Sequence, residues 1–192
     1  MKSLFKAFMV AGALLVAGGC ASPNMKLSDP ATAEVVPGAD KALVYFLRPK
    51  EIGFKIHAAV YDGDEFVGFV PYNQKLPYLA EPGEHMFMVV SEAADFMKAD
   101  LLPGKTYYVQ VVPRMGAWRA RFSLWPVTGE HLATESVRKW IDAARPITNK
   151  PAAYEWAENN RTSVMQKKDA YFAKWQTKPA DKQTYLAPDD GE

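Results

Sequence analysis

The six residues Ala42–Leu47 read Ala-Leu-Val-Tyr-Phe-Leu, and this stretch sets the class of fold. Apolar side chains occupy both faces of the strand that it predicts, so the strand needs cover on both sides and belongs inside a sheet. Around it, apolar and polar residues alternate at the period of half-buried strands. The further predicted strands are Ile56–Tyr61, Phe66–Val70, His85–Val90, Phe96–Leu101, Thr106–Val112 and Arg119–Leu124.

Tight turns separate the predicted strands. Pro-Gly pairs stand at 37–38, 82–83 and 103–104, where Pro presets the φ of one turn residue and Gly takes the positive φ of the next. The run 62–64, Asp-Gly-Asp, predicts the tip of a hairpin. Because each sheet must cover its apolar face, residues 41–127 are predicted to form a mainly β domain, a small antiparallel β-sandwich of about six or seven strands.

The hydrophobic period changes after the sandwich. A helix is predicted from Thr134, its N-cap, to about Ala144, and a second helix over residues 151–177, with a proline in its first turn. Together they make residues 128–178 a C-terminal extension of two helices. Residues 179–192 are polar, contain two prolines and end in acidic residues, so we predict a disordered tail.

The N-terminal segment has the pattern of an export signal. Two lysines precede an uncharged stretch over residues 7–17 that is too short to span a bilayer, and the only cysteine of the chain, Cys20, follows two glycines. The run Leu-Val-Ala-Gly-Gly-Cys over 15–20 resembles the lipobox of bacterial lipoproteins. This resemblance implies a signal peptide over residues 1–19, cleavage before Cys20, and lipid on its thiol and new amino group. An ordinary secretory leader is the alternative.

The predicted lipidation also indicates where in the cell the protein is located. Ala21 follows Cys20, and by resemblance to lipoprotein sorting this residue favours the outer membrane, with the protein facing the periplasm. Two or three acyl chains anchor a protein stably, since each buried CH₂ contributes about 0.8 kcal/mol. Residues 20–40 contain three prolines and no strong periodicity, which predicts a flexible tether. Lipidation uses the only thiol, so neither a disulfide within the chain nor thiol catalysis is expected.

Four short motifs follow one another along the predicted strands. They lie in Ala42–Pro49, Val60–Gly68, Glu81–Phe87 and Leu102–Val109. In order, they are a strand followed by Arg-Pro, a hairpin followed by Gly, a Pro-Gly-x-His turn, and a Gly-Lys-Thr-Tyr-Tyr run. Together they resemble a family of bacterial lipoprotein domains of unknown function. The resemblance covers residues 41–113 and implies a small β-sandwich, but it implies no known activity and supplies no catalytic residues.

Composition and motifs count against several functions. The chain has 23 Lys and Arg against 22 Asp and Glu, a formal net charge of +1, so it offers no electrostatic footprint for nucleic acid. It contains no phosphate-binding glycine loop, dinucleotide fingerprint, nucleophile elbow or Cys-x-x-Cys pair. No catalytic residue and no cofactor are therefore predicted, and an unrecognised hydrolase is the alternative.

The histidines and the acidic turn indicate structural roles. His57, His85 and His131 lie in separate segments without the spacing of a zinc site, so no metal site is predicted. His85 opens a strand directly after a tight turn, and we expect it to bond to backbone across that turn. The run 62–65, Asp-Gly-Asp-Glu, fits a hairpin turn better than a calcium loop, which needs about six oxygen ligands at a longer spacing.

One segment carries a candidate binding surface. Arginines and tryptophans are interleaved within residues 114–125, a combination that suits stacking on sugars and holding phosphate groups. In an envelope protein, such a surface would bind peptidoglycan or lipopolysaccharide. The alternative is that the C-terminal helix covers this face with Trp156 and Trp175. The candidate residues are Arg114, Trp118, Arg119, Arg121 and Trp125.

These features together predict a lipid-anchored envelope protein that acts by binding. Its expected partners are the membrane, through the N-terminal anchor, and an unidentified envelope protein that it serves as an accessory subunit or structural element. A peptidoglycan- or lipopolysaccharide-binding module is the alternative. No nucleic-acid partner is expected.

Overall fold

The computed structural model describes residues 22–29, 34–53, 55–56, 58–115 and 120–192, with backbone alone at 115 and 120. Several predicted features lie outside these residues, namely the signal peptide 1–19, Cys20, His57, Trp118 and Arg119. The described part is mainly β, with eleven strands in two packed sheets and three α-helices. The predicted β-sandwich fold with C-terminal helices is thus confirmed.

The described ranges contain strands, α-helices and 3₁₀ turns with the following bounds. The strands are β1 (Met25–Leu27), β2 (Ala42–Leu47), β3 (Ala59–Asp62), β4 (Glu65–Phe69), β5 (Gln74–Ala80), β6 (Gly83–Val90), β7 (Ala94–Leu101), β8 (Thr106–Met115), β9 (Ala120–Pro126), β10 (Arg145–Asn149) and β11 (Thr184–Leu186). The helices are α1 (Gly129–Leu132), α2 (Glu135–Ala143) and α3 (Pro151–Gln176). Single 3₁₀ turns cover Ala180–Lys182 and Pro188–Asp190.

The two sheets are mixed, which corrects the predicted antiparallel pairing. One sheet has six strands in the order β1-β10-β5-β2-β8-β9, and the other has five in the order β11-β7-β6-β3-β4. The pairs β2–β8, β10–β5 and β11–β7 are parallel. Parallel neighbours need a long crossover, and the chain supplies one because it visits the second sheet between β2 and β5 and again between β5 and β8. The strand number also exceeds the predicted six or seven, since β1, β5, β10 and β11 were not expected.

The strand Ala42–Leu47 lies inside the six-stranded sheet and is buried on both faces, as predicted. On its inner face, Phe46 meets Phe87 of β6 edge-on, with ring centroids 5.2 Å apart. On its outer face, the alternate side chains of β2 form a cluster with Leu132 of α1 and Ile141 of α2. Both contacts remove apolar surface from water, at about 25 cal/mol per Å². The fully apolar pattern of β2 follows from this double covering.

Helix α3 covers the five-stranded sheet. Phe96 of β7 meets Phe172 and Trp175 of α3, with ring centroids 5.0 and 6.1 Å away. Nearer the start of α3, the ring of Trp156 lies 4.8 Å from that of Phe69 of β4. The described part of the chain therefore forms four layers, which are α1 with α2, the six-stranded sheet, the five-stranded sheet, and α3.

The C-terminal segments belong to this folded body. Strand β11 runs parallel to β7, and the backbone of Glu192 exchanges two hydrogen bonds with that of Thr106. The prediction of a disordered tail over residues 179–192 is therefore wrong, because pairing through backbone groups does not depend on side-chain polarity. The predicted extension over 128–178 is likewise not purely helical, since β10 lies between α2 and α3 and joins the six-stranded sheet.

The segment predicted as a tether is in part an element of the sheet. Strand β1 pairs antiparallel with β10, and its first residue, Met25, is buried in the core. Further along, the carbonyl of Val35 accepts a hydrogen bond from Tyr45 Oη over 3.5 Å. The prediction of a flexible tether over 20–40 is thus wrong for residues 22–29, because a strand of three residues is too short to show a hydrophobic period.

Gly68 in β4 occupies a place where a side chain does not fit. Its φ is +153°, and a Cβ would lie 2.6 Å from Asn149 Oδ1 and 2.7 Å from Leu76 Cδ2. Replacing Gly68 with Ala is expected to lower the free energy of unfolding by about 1–3 kcal/mol, the usual cost of overpacking. Urea unfolding of the variant measures this loss. The matched control is Gly63→Ala at the hairpin tip, where φ is also positive but a Cβ meets nothing within 4 Å. An equal loss in both variants would show that backbone strain, and not crowding, sets the cost.

Candidate functional site

The structure brings two of the five predicted binding residues together. Arg114 of β8 and Arg121 of β9 lie opposite each other in register, and both line a cleft of about 360 Å³. Trp125 lies further along β9, is 53% exposed, and is not among the described residues that line this cleft. Trp118 and Arg119 lie outside the described residues.

The other walls of the cleft come from β7 and from the end of α3. Asp95 stands on β7, and Tyr171, Lys174, Trp175 and Lys178 follow one another on or just beyond the last turns of α3. Tyr171, Lys174 and Trp175 stand at positions i, i+3 and i+4, so they share one face of α3, and Lys178 follows two residues after the helix ends. We call these five residues, together with Arg114 and Arg121, the basic cleft.

Sequence reasoning missed the three other charged members of the basic cleft. Asp95, Lys174 and Lys178 carry no motif, although Lys174 lies on the face of α3 that also holds aromatic residues, and Lys178 follows two residues after the helix ends. The alternative prediction is that α3 covers the arginine-bearing strands with its two tryptophans. Trp175 lines the same cleft as the arginines, but its ring packs on Phe96 of β7 in the other sheet. Trp156 packs on β4, at the other end of the helix.

The basic cleft holds four cations and one carboxylate. Arg114 Nη2 lies 2.8 Å from one oxygen of Asp95, and Lys178 Nζ lies 3.2 Å from the other. Within the described ranges, Arg121 and Lys174 form no ion pair. Arg114 and Lys178 already pair with Asp95, the one carboxylate of the cleft. Arg121 and Lys174 therefore add positive charge that no acidic group among the described residues of the cleft balances, and this makes the cleft attractive to anions.

The donors of the basic cleft suit carboxylate and phosphate groups. An Arg guanidinium matches two oxygens of such a group at once, and a Lys ammonium adds a mobile point charge. Ser123 also lines the cleft, and its buried Oγ has no hydrogen-bond partner among the residues that the structure describes. A buried hydroxyl of this kind is costly unless something satisfies it.

The chemistry available here favours binding over proton transfer. The one carboxylate of the cleft, Asp95, is largely buried and contacts two cations. The two cations occupy both of the oxygens with which a general base would accept a proton. The remaining charged groups are donors only.

Comparison with known proteins supplies no family for this chain. No protein-family model, curated protein or solved structure matches it. Among the described residues, no helix is long and apolar enough to span a membrane. Within the same residues, no three or more His, Cys, Asp or Glu side chains come together as a metal ion would require. Functional inference therefore starts from the side chains of the basic cleft.

A second polar cluster links the two sheets at Asp62. Tyr78 Oη donates to Asp62 Oδ2 over 3.0 Å, and His85 Nδ1 lies 2.7 Å from the same oxygen. His85 Nε2 lies 2.7 Å from the carbonyl oxygen of Glu81. Both ring nitrogens face acceptors, a geometry that favours the doubly protonated ring, which donates from both nitrogens. The bond to Glu81 confirms the prediction that His85 bonds to backbone across its turn, and its role is structural.

This cluster predicts how stability depends on pH. The hydrogen bond to Asp62 outweighs the opposing effect of burial and raises the pKa of His85 above its ordinary value of 6.5. The stabilisation is complete below that value and is lost as pH rises through the folded pKa, with a slope of up to about 1.4 kcal/mol per pH unit. Urea unfolding at a series of pH values measures the slope. His85→Gln is expected to remove it, and an unchanged slope in that variant would contradict the assignment.

Proposed function

We propose that this chain is a lipid-anchored cell-envelope protein that acts by binding, and that the basic cleft holds an anionic group of its ligand. One observation carries the proposal. Arg121 and Lys174 lack acidic partners within the described residues, while Asp95 is held by two other cations. Like charges repel at short range, so an anionic group placed between these cations would be attracted to them.

The anchor is supported by the sequence. Cys20 is the only cysteine, and it follows an uncharged leader in a run that resembles a lipobox. The four motifs within residues 41–113 resemble domains of bacterial lipoproteins, which points to the same compartment. The membrane that we propose is the outer membrane, with the protein on its periplasmic side, because Ala21 follows the cysteine.

The ligand that we propose is peptidoglycan. It presents carboxylates on its peptides and on part of its sugars, and these match an Arg pair flanked by lysines. Lipopolysaccharide presents phosphates, which the same donors also fit. Retention on each material separately tells the two sources apart.

The test is retention of the full-length protein, solubilised in detergent, on purified peptidoglycan. Arg121→Ala combined with Lys174→Ala is expected to weaken binding about tenfold or more, since a hydrogen bond to a charged group contributes roughly 1.5–3 kcal/mol. Retention of the unaltered protein is also expected to fall as salt is raised.

The control for this test removes two lysines elsewhere. Lys139 on α2 and Lys182 in the tail are exposed and lie outside the basic cleft, so Lys139→Ala with Lys182→Ala makes the same change in net charge. Retention of this control should match that of the unaltered protein. Equal losses in both double variants, or no retention of the unaltered protein, would overturn the peptidoglycan proposal, and retention on lipopolysaccharide alone would reassign the ligand.

A second candidate function is that of an accessory subunit of an envelope protein assembly. The observation that favours it is Trp125, which is half exposed on β9, at the edge of the six-stranded sheet. Exposed aromatic side chains and open strand edges are features of protein interfaces. A photo-crosslinking residue at position 125, used in cells with the full-length protein, tests this. A single dominant protein adduct would support the accessory role, and muropeptide adducts would count against it.

A further inference from the structure

The chain becomes fixed to the folded body very close to Cys20. The carbonyl of Ser22 accepts a hydrogen bond from Lys150 Nζ over 2.8 Å, and the carbonyl of Asn24 accepts one from the backbone N–H of Lys150 over 2.8 Å. The hydroxyl of Ser22 also accepts hydrogen bonds from the N–H groups of the next turn. Strand β1 follows directly, with Met25 buried in the core.

This attachment leaves a short reach between anchor and body. Two residues of extended chain span at most about 7 Å, so Ser22 lies within that distance of Cys20. A lipid on Cys20 therefore cannot hold the body at the end of a long tether. A lipidated Cys20 would instead hold Ser22, and with it the β1 edge of the six-stranded sheet, next to the lipid headgroups.

The surface at this edge suits such a position. Leu27 at the end of β1 is 49% exposed, and Tyr154 in the first turn of α3 is 56% exposed. The hydroxyl of Tyr154 accepts a hydrogen bond from Asn149 Nδ2 over 3.2 Å, which holds its ring at the end of β10. Lys26, the residue before Leu27 on β1, is exposed as well. Tyrosine, lysine and an occasional apolar side chain are the residues that settle at a membrane–water interface.

We propose that the edge formed by β1, the end of β10 and the first turn of α3 lies against the lipid headgroups of the membrane that holds Cys20. This inference rests on the proposed lipidation. The partner is the bilayer surface itself, and the contact fixes the orientation of the protein as well as its location.

The orientation has a consequence for the basic cleft. In the six-stranded sheet, β9 is five strands away from β1, and strands lie about 4.8 Å apart, so Arg121 is held roughly 24 Å from the membrane-facing edge. The cleft then lies at the opposite edge of this sheet from the bilayer. A ligand that binds at this distance from the bilayer is a polymer or protein of the envelope, and not a headgroup of the same membrane.

The test measures thiol accessibility in the full-length lipoprotein, reconstituted into phospholipid vesicles. Leu27→Cys, Tyr154→Cys and Trp125→Cys each introduce one thiol, and lipidation leaves Cys20 without one. The comparison for each is the same variant with about twenty Gly and Ser residues inserted after Ala21, a spacer with a typical span of about 25 Å. A bulky maleimide reports the rate of modification.

Thiols at 27 and 154 are expected to react several-fold faster when the spacer is present, and the thiol at 125 at the same rate with or without it. Equal rates at all three positions with and without the spacer would overturn the inference. The mass of the N-terminal peptide, taken from the same samples, separates this failure from a failure of the proposed anchor. A lipidated peptide with equal rates refutes only the orientation, whereas an unlipidated peptide refutes the proposal on which it rests.

Discussion

Replacing Arg48 with Ala is expected to lower the free energy of unfolding by about 3–5 kcal/mol, because it leaves several carbonyls without a donor, at about 1–3 kcal/mol each, and removes a large buried side chain. The side chain is 1% exposed. Its guanidinium donates to the carbonyls of Ile52, Gly53 and Ile56, and its central carbon lies 4.5 Å from the centre of the Phe122 ring. Burial lowers its pKa to about 10, so it stays charged at neutral pH. Urea unfolding, followed by fluorescence, measures the loss.

Two variants separate the parts of this effect. Arg48→Lys keeps the charge but lacks the fork that reaches several carbonyls at once, so an intermediate loss is expected. Arg48→Met fills most of the volume and leaves the carbonyls of the following loop without donors. If Arg48→Met were as stable as the unaltered protein, the hydrogen bonds would contribute nothing, and the Arg-Pro motif would lose its structural explanation.

Replacing Trp175 with Ala is expected to cost about 3–5 kcal/mol, as for other large side chains removed from a core. Trp175 stacks on Phe172 with ring centroids 5.9 Å apart, meets Phe96 of β7, and lies under the ammonium of Lys98 at 5.6 Å. The change would release the last turns of α3 from the five-stranded sheet. A domain of ordinary stability, about 5–15 kcal/mol, would be left marginal.

The matched control is Trp125→Ala, which removes the same side chain from an exposed position on β9. Its expected effect is within about 0.5 kcal/mol, as for other surface substitutions. Similar losses in the two variants would contradict the burial of the α3 end, and with it the wall of the basic cleft that α3 supplies.

The parts of the fold that were predictable are those with a strong local pattern. The strand predicted over Ala42–Leu47 has the same bounds as the observed β2, because the run of apolar residues ends at Arg48. Helix α3 begins at its proline and ends within one residue of its predicted end, Thr177. In both elements, the pattern of apolar residues or the turn-forming proline is clear enough to identify the element from the sequence.

The strand β5 was missed because it contains Pro77. A proline argues against a strand inside a sheet, since it has no N–H to donate. In the structure, β10 pairs with β5 only at Gln74 and Lys75, so the strand beside Pro77 is paired on one side alone. The proline is therefore accommodated where β5 has the character of an edge.

The ordered tail was missed for a different reason. Its contacts join residues that are far apart in sequence, and a local hydrophobic period cannot predict such contacts. Glu192 accepts two hydrogen bonds from Arg138 at 2.8 and 2.5 Å and a third from Tyr108 at 3.1 Å. The bonds from Arg138 hold the pKa of Glu192 below its ordinary value. Polar composition predicts disorder only where such partners do not exist.

Only the two arginines of the candidate site could be predicted from the sequence. Arg114 and Arg121 fall opposite each other because they flank a hairpin, and a strand pattern brings such residues together. Asp95, Lys174 and Lys178 join them only through the packing of α3 on β7, a tertiary contact that spacing along the chain does not encode. The aromatic stripe of α3 was the one visible signal that this helix had a surface to meet.

The most direct test of the account is the mass of the N-terminal peptide of the mature protein, isolated from the membrane fraction of cells that express the full chain. The account predicts a peptide that begins at Cys20, with a diacylglyceryl group on its Sγ and an acyl group on its amino nitrogen. A peptide that begins after Cys20, or one that carries Cys20 with a free thiol, would contradict the lipid anchor and the membrane-facing edge that depends on it.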